Sequence, residues 1–96
     1  MQALLVGGDY VEPLIGTLKA RGFERVHHWD GRKQGDTRKL LPQDVSLVVV
    51  LTDYTSHPLL EHLRSQARRR GITVVYSRRS LVEVRQRLDA QELRAA

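Results

Sequence analysis

Cysteine is absent from this chain, which excludes a disulfide framework, a thiolate nucleophile and any thiolate metal site. Aromatic residues are scarce: Tyr10, Phe23, Trp29, Tyr54 and Tyr76 lie scattered along the sequence. They are not interleaved with the basic residues as a nucleic-acid surface would need, and no nucleic-acid recognition motif is visible. The apolar run Ala3-Leu4-Leu5-Val6 is too short for a signal or membrane segment, and no basic stretch precedes it. A cytoplasmic protein with no membrane partner is therefore expected. Internal repeats and low-complexity segments are missing. Neither Gly-x-Gly-x-x-Gly nor the Lys-Ser/Thr of a P-loop occurs, and no His-x-x-x-His pair fixes metal ligands locally.

Negative charge is in the minority. Sixteen Lys and Arg against eleven Asp and Glu leave a net charge of +5 and a pI near 10.2, which favours acidic partners. The densest basic clusters are Arg68-Arg69-Arg70 and Arg78-Arg79. The first precedes Gly71 and reads as basic residues complementing the dipole at a helix carboxyl end. A chain of 96 residues supports one modest core. A single domain over 1–96 is expected, with residues 90–96 as a frayed helical tail.

The most informative stretch is Val45-Ser46-Leu47-Val48-Val49-Val50-Leu51, an uncharged run that fits a strand covered on both faces. It empties into Thr52-Asp53-Tyr54-Thr55-Ser56-His57 before Pro58. A buried strand that opens into a polar turn and then a helix is where open α/β sheets place their ligands.

The rest of the chain falls around it. Residues 3–6 read as a first strand closed by Gly7-Gly8-Asp9. A helix capped by Asp9 or Glu12 then runs to about Arg21, with Val11, Leu14, Ile15 and Leu18 inward. Gly16 inside it is unfavourable by about 1 kcal/mol unless close packing requires it. Residues 23–28 read as an edge strand, and residues 30–44 as a polar loop in which Asp36 or Thr37 caps one helical turn. After the central strand, Ser56 or His57 caps a second helix with Leu59, Leu60, Leu63 and Ala67 inward. Residues 72–76 form the fourth strand. Ser80-Leu81-Val82-Glu83 is a capping box opening a last helix with Leu81, Val84 and Leu88 inward. The expected fold is α/β: a small Rossmann-like three-layer domain with a four-stranded parallel sheet of order 2-1-3-4 and helices on both faces. That order opens a crevice between Gly7-Gly8-Asp9 and residues 52–57.

Several of these segments are familiar as a set. Gly7-Gly8-Asp9, His27-His28 with Asp30-Gly31, Leu51-Thr52-Asp53-Tyr54-Thr55-Ser56-His57, Arg70-Gly71-Ile72 and Ser77-Arg78-Arg79-Ser80 together resemble the bacterial domain of unknown function family 2325. The likeness runs from Leu4 to about Leu88, and the Thr-Asp-x-x-Ser-His turn is its most specific part. It implies a Rossmann-like fold and no established activity.

Candidate ligand-binding residues follow from the crevice. Thr52, Asp53, Ser56 and His57 place two hydroxyls, a carboxylate and an imidazole at a helix amino terminus, where free N–H groups attract an anion. Gly7, Gly8 and Asp9 offer a turn that lets backbone approach a ligand. His28 leaves the second strand toward the same edge, and Arg78 directly follows the fourth. A metal set of nitrogen and oxygen donors is drawn from His27, His28, His57 and Asp53, although adjacent His27 and His28 face opposite sides of a strand. No cofactor is required by the sequence; a nucleotide or a divalent metal is the option it leaves open. The function expected is a ligand-binding module for a phosphorylated or other anionic small molecule, a nucleotide among them. The alternatives are a metal-binding or His/Asp-dependent enzyme at the same crevice and a basic nucleic-acid-binding protein. Open sheet edges point to a homodimer.

Overall fold

The structure is a computed structural model that describes residues 1–31 and 38–91. Its elements are β1 (Gln2–Val6), α1 (Glu12–Ala20), β2 (Arg25–Trp29), β3 (Val45–Leu51), α2 (His57–Arg70), β4 (Thr73–Ser77) and α3 (Leu81–Ala90), with a 3-10 turn at Thr52–Tyr54. All strand pairs are parallel and the order is β2-β1-β3-β4, as the sequence predicts. The central strands β1 and β3 are buried almost throughout, which explains their unbroken apolar runs.

Alternation sorts those side chains between two cores. Ala3, Leu5, Leu47, Val49 and Leu51 meet Leu14 and Leu18 of α1 and Val84 and Leu88 of α3 on one face. Leu4, Val6, Val48 and Val50 meet Leu59, Leu63 and Ala67 of α2 on the other. Each leucine or valine among them contributes about 1.5–3 kcal/mol on full burial. The helices after β1 and β3 therefore lie on opposite faces, which is the condition for a topological switch point between those strands.

The last part of the connection from β2 to β3, residues 38–44, lies on the α2 face, where Leu41 joins the core. Its carbonyls meet one stripe of α2. The Lys39 carbonyl accepts from the Gln66 amide at 2.8 Å, and the His62 ring Nε2 lies 2.7 Å from both groups. Gln66 Oε1 accepts from the Leu41 N–H at 2.9 Å, and Arg70 donates to the Leu41, Pro42 and Gln43 carbonyls at 2.8–2.9 Å. Positions 62, 66 and 70 recur every four residues and so share a helix face. Arg70 thus fastens the crossover, a role that the dipole reading of Arg68-Arg69-Arg70 did not contain.

Several boundaries differ from the sequence reading. The second strand is Arg25–Trp29 rather than 23–28, because Phe23 is spent on the core and its N–H bonds Leu18 of the preceding helix. The fourth strand is Thr73–Ser77 rather than 72–76, since the Ile72 N–H closes α2 by bonding Ala67. Val11, not Asp9 or Glu12, occupies the N-cap of α1 and makes no side-chain cap bond. Gly16 has no neighbour within 4 Å of where a side chain would begin, so packing does not demand it. Asp36 and Thr37, the expected cap in the loop, lie outside the described residues, as does most of the tail.

Candidate functional site

The carboxyl edge of the sheet collects the turns after β1, β2, β3 and β4. The expected crevice between the first and third of these is filled by the chain itself. Gly7 has φ +104°, and a Cβ there would stand 2.9 Å from Thr55 Oγ1, 3.1 Å from the Leu51 carbonyl and 3.2 Å from the Tyr54 carbonyl. A Cβ at Gly31, φ +83°, would stand 3.2 Å from the same Tyr54 carbonyl. Glycine is needed because two backbones meet in conformations that a side chain would strain. A Cβ at Gly8, φ +76°, would stand 3.3 Å from the Arg79 side chain. Gly7 and Gly8 therefore form a close-packed turn.

Arg79 is the residue that joins the edge together. Its N–H donates to Asp53 Oδ1 at 3.0 Å, and its guanidinium donates to the Asp9 and Tyr10 carbonyls at 2.8 and 2.7 Å. The turns after β1, β3 and β4 are thereby tied through one residue, its backbone N–H holding the third-strand turn and its guanidinium the first. Sequence reasoning preferred Arg78 because it follows a strand; the partners that distinguish Arg79 lie 69 and 70 residues away and leave no local signal. Tyr10, which sequence reasoning also passed over, is 82% exposed at φ 54°. It borders a small hollow of about 110 Å³ with Pro13, Leu14, Arg79 and Leu81.

The other predicted residues separate by role. His28 donates from Nε2 to the Gly8 carbonyl at 2.9 Å and so braces the glycine turn. His27 bonds Gln2 Oε1 at 2.8 Å and registers with Leu4 on the α2 face, while His28 registers with Leu5 on the opposite face. Ser56 is the N-cap of α2, its hydroxyl accepting from the Leu59 N–H at 3.3 Å. His57 is exposed in the first turn of that helix. Asp53 is engaged by Arg79 rather than by a histidine. Asp9 supplies its carbonyl to Arg79. Among the described residues no group of three His, Asp or Glu is arranged to hold a metal ion.

A larger hollow lies beside the expected crevice, between the ends of β3 and β4. It measures about 270 Å³ and is lined by Thr52, Tyr76, Ser77, Arg78, Glu83 and Arg87. The Thr52 hydroxyl donates to the Ser77 carbonyl at 3.3 Å. Glu83 does not complete the expected capping box. Ser80 does cap α3 by accepting from the Glu83 N–H, but the Glu83 carboxylate reaches the Arg78 N–H at 2.5 Å and the Ser77 hydroxyl at 3.1 Å. The Arg78 N–H holds Glu83 below the usual carboxylate range, assisted by Ser77, Arg87 and Arg78 and opposed by burial. Two arginines, two hydroxyls and one ionised carboxylate thus line one space.

Fold and edge together define a small α/β domain whose all-parallel sheet delivers four turns and three helix starts to one side. The chain belongs to the family described as "Uncharacterized protein conserved in bacteria (DUF2325)", which matches residues 2–91. No curated protein and no solved structure matches it. No helix among the described residues is long and apolar enough to cross a membrane.

Proposed function

We propose that this chain is a small cytoplasmic binding module holding an anionic small molecule, phosphorylated or nucleotide-like, at the carboxyl edge of its sheet. The observation that supports the reading is the hollow where Arg78 and Arg87 accompany the Thr52 and Ser77 hydroxyls. Guanidinium groups suit planar or tetrahedral oxyanions, and bonds to charged partners are the stronger ones. The net charge of +5 steers such ligands toward the protein. The glycine turn serves this site by closing the neighbouring crevice and fixing Arg79, which positions the start of α3 beside the hollow.

A panel of nucleotides, sugar phosphates and inorganic phosphate tests the reading by thermal unfolding. A ligand at a hundred times its Kd adds about 2.7 kcal/mol, or roughly 10–20 °C in Tm for a chain of this length. Arg78→Gln and Arg87→Gln should each weaken that binding about tenfold. A panel that leaves Tm unmoved rejects the proposal. The same reading includes a homodimer through the β2 edge, whose outer strand carries Val26, His27 and Trp29 half-buried. Native mass spectrometry giving twice the chain mass supports it, and the single-chain mass alone rejects it.

A further inference from the structure

The hollow holding Arg78 and Arg87 continues along the sheet. A second one, also about 270 Å³ and lined by Val74, Val75, Tyr76, Arg87, Ala90 and Gln91, shares Tyr76 and Arg87 with it. Both follow β4, the outermost strand on that side. Two bonds orient this strand. The Ser77 carbonyl accepts from Thr52 and so faces β3, while the Arg78 N–H turns away to Glu83. In a parallel strand each residue directs its N–H and C=O to the same neighbour, and successive residues alternate. Val74 and Tyr76 accordingly present both main-chain groups outward. At Arg78 the Glu83 carboxylate stands where an acceptor from a fifth strand would; no described residue does the same for Val74 or Tyr76.

Charge selects the occupant. The Arg78 and Arg87 side chains form no salt bridge with a described residue and outnumber the one carboxylate on which they act, Glu83, and Arg64 lies over the Tyr76 ring at 5.4 Å on the α2 side. A second copy pairing β4 with β4 would bring these arginines of both chains to one seam. An acidic strand meets them with favourable sign.

We infer that β4 is a strand-addition site for an extended acidic peptide, which adds as a fifth parallel strand and delivers a carboxylate to Arg78 and Arg87. Main-chain bonds to Val74 and Tyr76 supply general affinity, and the parallel direction brings the carboxyl end of the peptide to the arginines. The inference rests on the anion reading of that hollow and extends it from a small molecule to a peptide carboxylate, either terminal or side-chain.

The probe is the hexapeptide Thr-Val-Thr-Val-Asp-Glu, titrated into the whole chain while amide signals and amide exchange are followed by NMR. Exchange at Val74 and Tyr76 should slow at least tenfold. Backbone N-methylation at alternate peptide residues, made in both phases, should weaken binding at least tenfold in one phase and little in the other, because only one phase faces β4. An amidated peptide and a free-acid Asn-Gln peptide separate the side-chain from the terminal carboxylate. Arg87→Gln should weaken the parent peptide about tenfold. Equal binding of a neutral amidated peptide, equal binding in both N-methylated phases, or unprotected Val74 and Tyr76 overturns the inference. If inorganic phosphate shifts the Arg78 and Arg87 signals while no peptide protects the strand, the anion reading stands and this one falls; if neither binds, both fall.

Discussion

Replacing Gly7 with alanine tests whether the edge is held by backbone contact. Two costs add. A φ of +104° lies in a region that costs a side chain about 1–3 kcal/mol. The new methyl would also press on the Leu51 and Tyr54 carbonyls at 3.1 and 3.2 Å, which are main-chain atoms of β3 and its turn and cannot move alone. Overpacking of this kind costs about 1–3 kcal/mol more. The expected loss is about 2–6 kcal/mol, from a total stability of about 5–14 kcal/mol for a chain this long. Two companion substitutions separate the terms. Gly71→Ala carries φ +67° with nothing within 4 Å, so it should cost only the left-handed strain, about 1 kcal/mol. Gly16→Ala, with no neighbour within 4 Å in a helix interior, should gain about 0.5–1 kcal/mol. Urea unfolding followed by circular dichroism reads all three, and Tm for Gly7→Ala should fall by about 4–8 °C for each kcal/mol lost. If Gly7→Ala costs no more than Gly71→Ala, the contact between the two turns is not what closes the crevice.

Two further outcomes follow from buried and charged groups. Gln66→Ala, at a side chain 5% exposed, should cost about 2–3 kcal/mol by leaving the buried Leu41 N–H without its acceptor, and Leu41 amide exchange should accelerate; an unchanged urea midpoint would refute the pinning of the crossover by α2. Glu83 has a lowered folded pKa, so its contribution is present above the unfolded value, about pH 4, and is lost as pH falls through the lower folded one. Stability measured from pH 6 to 2 should therefore decline less steeply in Glu83→Gln than in the parent chain, and identical slopes would refute the assignment.

The fold was largely legible because two periodicities dominate it. The uncharged run ending at Leu51 and the stripe Leu59, Leu63, Ala67 each carry their secondary structure in their spacing, and strand-helix alternation then leaves few parallel topologies. Boundaries slipped by one or two residues where a core side chain, Phe23, or a helix-closing bond, at Ile72, took a residue from a strand. The capping box at Ser80 was half right, since the spacing is correct for Ser80 but the Glu83 carboxylate finds the Arg78 N–H instead.

The candidate site was less legible, and the reason is distance along the chain. By itself the sequence determined which segments reach the carboxyl edge, because strand direction and element order are local properties that compose. Only the tertiary structure decided what happens there. It brought Gly7 and Gly31 against the turn after β3, and so turned an expected crevice into a packed contact. It also chose Arg79 over Arg78 as the brace, through carbonyls 69 and 70 residues away, and put Arg87 of α3 beside Arg78 in the neighbouring hollow. These are contacts between segments whose separation is set by sheet order and helix packing, and no spacing within one segment encodes them.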